Sequence, residues 1–232
     1  MKRILCIFFL FLIGPACNQL VSNIRFLQHA TYMLKVVEET VHDIEDNGWC
    51  ILKIPEIVED LNFYLIDRNI TGKVTYKNGF VHTIEHVDVL TRSVQQRWLW
   101  NATLGSAVAS LESQLRLHNV VLGFDVIADI DENRHHYTAT VTHGLIAVNF
   151  AVVTFMSLNE TDIRVTVDRP LAPVKRISYV PQDDSSDMIG ALYKPDTTRN
   201  LVMQWSKTIQ PMMEDVVVNR VVFPTICYDC AA

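Results

Sequence analysis

Two histidine pairs have the spacing that could hold a metal ion. His82 and His86 stand four residues apart, which brings both imidazoles to one face of a helix, where they can bind zinc. The pair follows Asn78-Gly79, however, in a segment that alternates like a β-strand, where four residues span about 13 Å. His135-His136 lies among charged residues, which is typical of a solvated turn. We therefore expect no metal site.

Side chains that could catalyse a reaction are few. Three aspartates share one strand face, which we expect to be solvated, so that they do not raise one another's pKa: Asp125, Asp129 and Asp131. Neither HExxH nor GxSxG occurs, so the common zinc-protease and serine-hydrolase arrangements are absent. Three tryptophans could stack on a ligand, although core packing is the simpler interpretation: Trp98, Trp100 and Trp205. We expect no enzymatic activity, no catalytic residues and no cofactor.

Charge and composition exclude two further classes of function. The 232 residues carry 26 acidic and 20 basic side chains, a net charge of −6, whereas nucleic-acid binding needs clustered Lys and Arg. Glycines number only 8, and neither GxGxxG nor GxxxxGK[ST] occurs, so loops that cradle phosphates are not expected. Nucleic acids and nucleotides are therefore unfavourable partners.

The first 16 residues have the pattern of a secretory signal peptide. Lys2 and Arg3 precede the apolar run 4–13, and Gly14-Pro15-Ala16 follows. A membrane anchor is the alternative, but ten helical residues span about 15 Å of a roughly 30 Å hydrocarbon core. Removal of this segment changes the net charge from −6 to −8. We expect a secreted, extracellular protein of one domain, residues 17–232, without a transmembrane anchor but able to contact membranes transiently.

Glycosylation signals and cysteines agree with export. The three N-x-[ST] sequons predict glycans, and hence solvent-exposed positions, at Asn69, Asn101 and Asn159. Cys6 leaves with the signal peptide. The four remaining cysteines allow three pairings in an oxidising compartment: Cys17, Cys50, Cys227 and Cys230. No helix follows the C-x-x-C that would lower a thiol pKa, so we expect structural disulfides that tie the C-terminus to Cys50 and Cys17.

Apolar spacing predicts an amphipathic helix near each end of the chain. From Leu20 to Ile44 apolar residues recur every three or four positions, which predicts a helix of about seven turns ending at Asn47-Gly48. A linker with Pro55 follows. A second helical stripe, interrupted by a proline that would kink it, consists of Leu201, Trp205, Ile209, Met212, Met213 and Val216. A run of polar residues at 183–187 predicts a turn before this helix.

Between the helices the period changes to two. Strand patterns begin near Leu65, and Asn78-Gly79 predicts a hairpin turn. Further strands are predicted within 107–117, 124–130, 137–141 and 163–167, each with one apolar and one polar face, which is typical of an antiparallel sheet. The run 146–155 is apolar on both faces and predicts a strand covered on both sides. The fold class is therefore α+β, with a long curved antiparallel sheet wrapped around the two terminal helices.

The same segments resemble the mite group 7 allergen family. The residues that carry the resemblance are the N-terminal helix, Ile66-x-x-x-Ile70-x-Gly72-x-Val74, the run LRLHNVVLGFD at 115–125, and the proline-containing helix at 205–213. That arthropod family resembles one half of the bactericidal/permeability-increasing and lipopolysaccharide-binding proteins, of the tubular lipid-binding type. The resemblance covers about residues 20–220 and implies a secreted, non-enzymatic, elongated super-roll with a hydrophobic groove. The closing helix is short for the family.

These patterns favour a carrier or sensor of a lipid or other hydrophobic small molecule, held between sheet and helices. The alternative is a secreted, defence-related protein-interaction module with a closed core and no ligand. Residues whose face points inward are predicted to line the ligand site: Leu111, Leu115, Leu117, Phe124, Ile146, Val148, Phe150, Trp205, Ile209 and Met213. The net charge of −8, with few basic residues available for a rim, favours a neutral or weakly charged ligand.

Overall fold

Two very long strands form the centre of the structure. The computed structural model describes residues 24–65, 68–102, 105–156, 161–194, 200, 202–228 and 230. Its strands are β1 (Arg25–Phe26), β2 (Ile57–Leu65), β3 (Arg68–Thr83), β4 (His86–Val89), β5 (Gln95–Asn101), β6 (Ser106–Ile130), β7 (Asn133–Met156), β8 (Thr161–Val167), β9 (Val174–Val180) and β10 (Ile226–Cys227). Its α-helices are α1 (His29–Asp46), α2 (Asp184–Leu192) and α3 (Trp205–Asp215); short 3₁₀ turns are at Trp49–Ile51 and Thr91–Ser93, and a π turn is at Val216–Arg220.

The antiparallel sheet is assembled along the edges of β6 and β7. These two strands have 25 and 24 residues, so each runs about 80 Å along its path. They pair in one register from Ala107 opposite Met156 to Ile130 opposite Asn133. Strands β3, β4 and β5 follow one another along the free edge of β6, while β8 and β9 lie along that of β7. Strand β2 extends the sheet from β3. The predicted α+β class with a long antiparallel sheet is confirmed.

In both long strands the buried side chains switch from one face of the strand to the other, and the two switches lie opposite each other in the sheet. In β6 the odd-numbered residues are buried up to Leu117 and the even-numbered residues from Val120 onward; in β7 the same change falls between His143 and Ile146. Asn119, between the two halves of β6, adopts a left-handed backbone with φ 47°, which a short polar side chain tolerates. The predicted strands at 107–117 and 124–130 are therefore two halves of one strand, separated by a bend.

The hairpin predicted at Asn78-Gly79 is wrong. Strand β3 continues through these residues, with φ 53° at Asn78 and a register shift of one residue against β6 between Lys77 and Phe80. This is a β-bulge, which accommodates the same left-handed residue that a hairpin turn would use. The actual two-residue turn joins β6 to β7 at Asp131-Glu132, where φ is 46° and 70°. Asp131 thus lies in a turn, while the other two aspartates of the predicted strand face are exposed on it.

The N-terminal helix is shorter than predicted. Helix α1 ends at Asn47-Gly48 as predicted but begins at His29 and has about five turns, because Arg25–Phe26 pairs with the C-terminal strand β10. Leu20 and its neighbours lie outside the described residues. The buried face of α1 is also rotated from the predicted stripe and consists of Tyr32, Met33, Val36, Val37, Thr40 and Ile44. Leu27, a predicted member of that stripe, is 42% exposed.

Two predicted loops contain regular structure. Strand β2 occupies part of the predicted linker after Pro55, and the polar run at 183–187 forms the start of α2. Asp183 caps that helix: its carboxylate accepts from the Ser186 backbone N–H at 2.7 Å, and the Ser186 hydroxyl accepts from the Asp183 N–H at 2.8 Å. This reciprocal pair is a capping box, in which serine takes the place of the usual Glu or Gln.

The helices cover one face of the sheet. Helix α3 lies on β8 and against α1, and α1 also contacts β6. Three residues of the predicted stripe are buried in α3, namely Trp205, Ile209 and Met213, and Pro211 lies within the helix. Of the other three, Met212 is half-buried, Val216 is buried in the π turn, and Leu201 lies outside the described residues. In the run 146–155 the even-numbered residues are buried beneath the helices, but most of the odd-numbered ones are partly or fully exposed. The prediction that this strand is covered on both sides is therefore wrong, since the second face turns outward.

Candidate functional site

The predicted ligand-site residues all lie in the interior between the sheet and the helices. Each is 3% exposed or less, and all belong to one hydrophobic core. Across the central strand pair, Leu111, Leu115 and Leu117 stand directly opposite Val152, Val148 and Ile146. The α3 residues Trp205, Ile209 and Met213 reach this half of the molecule because α3 lies on β8, which pairs with the same end of β7.

One of the predicted residues belongs elsewhere. Phe124 lies beyond the bend, in the other half of the sheet, where its ring meets Tyr76 edge-on at a centroid distance of 6.1 Å. A Cβ on Gly79 would come within 2.8 Å of the Phe124 ring. The structure therefore brings together the residues of the 107–117 half with those of α3, and it separates Phe124 from them.

Three polar groups are buried in the apolar interior without hydrogen-bond partners. Among the described residues, nothing bonds the Ser113 hydroxyl, the Thr154 hydroxyl or the Trp205 indole N–H, and all three atoms are shielded from solvent. Ser113 and Thr154 both project from the inward face, from β6 and β7 respectively. An unsatisfied buried polar group costs about 1–3 kcal/mol. In the sequence, Ser113 and Thr154 could have been recognised as polar residues at inward positions of an otherwise apolar strand face.

One cleft lies on the outer face of the sheet, over the same strand pair. Its volume is about 450 Å³, and outward-facing polar residues contribute to its walls: Glu112, Gln114, Asn149 and Asp168. It is bounded at one side by Leu90 and Ser93, in the segment that joins β4 to β5. Ser113 and Phe150 border it from beneath, but their side chains are buried on the opposite face, so the cleft is separate from the apolar interior.

A buried histidine lies at the bend between the two halves. His143 is fully buried, its Nδ1–H donates to the Pro173 carbonyl at 3.3 Å, and Nε2 has no partner among the described residues. Burial lowers the pKa of His143 below its ordinary value, because desolvation disfavours the imidazolium. The imidazole is therefore neutral at physiological pH. The sequence reasoning did not single out this residue.

The outer face carries an ion-pair cluster near the bend. Arg116 donates to both carboxylate oxygens of Asp88, at 2.7 and 2.6 Å, and His118 Nε2 lies 3.3 Å from the same carboxylate. Partial burial would raise the pKa of Asp88, but these hydrogen bonds outweigh it and hold the pKa below its ordinary value. His86 belongs to the edge of this cluster, 4.0 Å from Asp88, and not to a site shared with His82. Within the described part of the chain, no group of three His, Cys, Asp or Glu side chains could hold a metal ion.

The other candidate residues are dispersed. Asn69 is exposed on β3, Asn101 is half-buried at the end of β5, and Asn159 lies outside the described residues. Trp98 stacks on Phe26 at 4.7 Å, whereas Trp100 is 69% exposed and is not part of the core. In the ranges that are described, no helix is long and apolar enough to span a bilayer.

The predicted disulfide between the C-terminus and Cys50 is wrong. Cys227 bonds to Cys230, and Cys50 is an exposed free thiol; Cys17 lies outside the described residues. The reason is the length of α1. Cys227 pairs with Arg25, just before the helix, and Cys50 follows its far end, so that 18 helical residues, about 27 Å, separate the two.

Comparison with known proteins supports the fold alone. No family model and no curated protein matches the sequence. Among solved structures, the crystal structure of a lipopolysaccharide binding protein superposes with a TM-score of 0.51 at 8% identity, over 85% of this chain and 39% of that one. The chain thus spans about two fifths of that protein, with which it shares an α+β architecture. Membership of the mite group 7 allergen family stays a prediction.

Proposed function

We propose that the protein is a secreted, non-enzymatic carrier or sensor of a hydrophobic, lipid-like ligand held between the curved sheet and the helices. The observation that carries the proposal is the set of unpartnered polar groups inside an otherwise apolar interior. A polar head group held between the sheet and the helices could bond Ser113, Thr154 or Trp205, while its hydrocarbon met the leucines and valines of β6 and β7.

Two further observations support lipid as the ligand class. The fold is shared with a protein whose structure is described as that of a lipopolysaccharide binding protein. The mature net charge of −8 favours a neutral or weakly charged head over a strongly anionic one. The proposal that the protein is exported is supported by the predicted signal peptide, the exposed sequon at Asn69 and the disulfide.

Native mass spectrometry of glycosylated protein from a eukaryotic secretion host tests the proposal. We expect co-purifying lipid, and reloading of the delipidated protein with a diacylglycerol. The double variant Ser113→Ala/Thr154→Val should bind diacylglycerol more weakly, by about thirtyfold in affinity, since each of the two hydrogen bonds contributes roughly 1 kcal/mol. Its stability should be unchanged or higher, because it removes unsatisfied groups. Thr138→Val, an exposed hydroxyl beyond the bend, is the control and should bind as the wild type does.

One observation favours the alternative of a secreted protein-interaction module with a closed core. All the predicted lining residues are already buried, and only Phe150 among them borders the 450 Å³ cleft. If stable, delipidated protein takes up neither a diacylglycerol nor any other lipid, the alternative replaces the carrier proposal.

A further inference from the structure

A second cleft lies apart from the interior site, between the start of α1 and the segment 221–225 that follows the π turn. Its volume is about 490 Å³, within the usual range for small-molecule sites. We call it the α1 cleft. Apolar side chains of Leu27, Val222 and Phe223 contribute to its walls, and Tyr32 and Lys35 project from the helix side.

Backbone hydrogen bonds fix both ends of the segment 221–225 that forms one wall of the α1 cleft. At one end the Val221 N–H donates to the Val216 carbonyl at 3.0 Å, and at the other the Leu27 N–H donates to the Thr225 carbonyl at 2.9 Å. The β1–β10 pairing continues from that second contact. Val222 is left 90% exposed, a large apolar side chain at the mouth of the cleft. Fixed walls and exposed apolar surface are features of a binding site.

A buried polar group lies in the wall. Tyr32 is 6% exposed, its ring meets Phe223 edge-on at 5.5 Å, and its hydroxyl has no hydrogen-bond partner among the described residues. Because the hydroxyl is shielded from solvent, bulk water does not compensate it. Burial raises the pKa of Tyr32 further above neutrality, so the hydroxyl keeps its proton and is available as a donor.

The helix side of the cleft carries one cation, Lys35. Lys35 is exposed, one turn after Tyr32, and its ammonium forms no ion pair within the described part of the chain. Arg220, at the rim, is in contrast neutralised by Asp43 and Asp215, at 2.6 and 2.8 Å. The N-cap residue of α1, Gln28, makes no capping hydrogen bond with its side chain, and the first turn of the helix has no acidic residue. The positive end of its dipole is therefore not compensated there.

We infer that the α1 cleft binds an aliphatic monocarboxylate, such as a fatty acid. The hydrocarbon chain lies against Leu27, Val222 and Phe223, and the carboxylate pairs with the Lys35 ammonium. On binding, the ligand displaces the side chains that shield the Tyr32 hydroxyl, and the carboxylate then accepts its hydrogen bond. This inference rests on the proposed function in that it assigns a lipid-like ligand, but it places that ligand outside the interior lined by the predicted residues. A single weak charge also agrees with the charge argument from the sequence.

Isothermal titration of delipidated, full-length protein with dodecanoate and with its methyl ester tests the inference. Dodecanoate should bind about tenfold more tightly than the ester, because only the carboxylate can pair with Lys35. Tyr32→Phe and Lys35→Gln should each weaken dodecanoate binding by about tenfold, and Lys35→Gln should leave ester binding unchanged. Tyr64→Phe and Lys53→Gln, exposed positions elsewhere, are the matched controls. Tyr32→Phe should fold with wild-type stability or better, since it removes an unsatisfied hydroxyl.

Two outcomes separate this inference from the proposed function. If both variants bind dodecanoate as the wild type does while the protein still takes up diacylglycerol, the α1 cleft is not the carboxylate site and the carrier proposal stands. If the wild type binds neither dodecanoate, nor its ester, nor diacylglycerol, both are wrong.

Discussion

At the scale of single residues, the polar groups inside the apolar interior distinguish this chain from a simple packed core. His143, at the bend, is a further buried residue with an unpartnered atom, and its imidazole is titratable. Because its pKa is lowered by burial in the folded state and is about 6.5 in the unfolded chain, the unfolded state binds more protons between those two values. The contribution of His143 to stability is thus complete above pH 6.5 and declines as the pH falls toward the lowered folded pKa.

This argument predicts an acid-sensitive step in stability. Urea unfolding of the wild type, measured between pH 7.5 and 5, should show a falling free energy of unfolding over the lower part of that range. His143→Leu should flatten the decline, whereas His42→Gln, an exposed histidine on α1, should leave it in place. An identical slope in wild type and His143→Leu would show that other groups cause the pH dependence.

The sequence predicted the buried state of individual residues better than their grouping. Leu111, Leu115 and Leu117 are inward as their alternation predicts, because alternation depends only on the local strand. The separation of Phe124 from them could not be predicted, since it depends on the left-handed backbone of Asn119, which lies between them and which alternation does not reveal. The pairing of Cys227 with Cys230 was missed for a similar reason: it follows from the three-dimensional distance along α1.

At the scale of elements, the bulge in β3 is the feature that depends most closely on residue size. Gly79 lies beneath Ile54 and Phe124, and an added Cβ would be 2.6 Å from Ile54 Cγ2. Gly79→Ala should therefore lower the free energy of unfolding by about 1–3 kcal/mol through overpacking. The matched control is Gly144→Ala, whose Cβ would meet nothing closer than Lys175 Cδ at 3.7 Å. Chemical denaturation of both variants measures the difference, and equal stabilities would contradict the prediction.

Some helices and strands could be predicted from the sequence, and others could not. The end of α1 at Asn47-Gly48 and the stripe of α3 were predicted because capping residues and helical spacing are local signals. Asn78-Gly79 was misread because the same left-handed backbone serves a turn or a bulge, and only the 25-residue partner strand decides between them. Strand β2 was missed because its inward side is interrupted by Glu59 and remains half-exposed.

At the scale of the whole molecule, the two central strands carry most of the long-range pairing. Strands β6 and β7 have neighbours along nearly their full length, while β2 is an edge strand and β1–β10 is a two-residue ribbon. In native-state hydrogen exchange we expect the amides of β6 and β7 to be the slowest and those of β2 and the ribbon to exchange well before them. Protection of β2 equal to that of β6 would contradict this order.

The overall architecture followed from a simple constraint. An extended sheet with one apolar face must be covered, and only the amphipathic helices at the two ends of the sequence could cover it. Strand order could not be predicted in the same way, because which edge of β6 or β7 each short strand joins depends on the bend and on the connecting segments. The α1 cleft was also beyond sequence reasoning, since its walls are 190 residues apart in the chain.

The switch of the buried face of β6 at Asn119 has a consequence for how the sequence of such a chain can change in evolution. Each half of the β6–β7 ladder turns a different set of positions toward the helices, while the pairing register stays continuous through both. Substitutions that reshape the interior of one half therefore leave the inward residues of the other half untouched. The ladder can act as a common frame on which two interiors are remodelled separately, one retained for stability while the other acquires a new ligand.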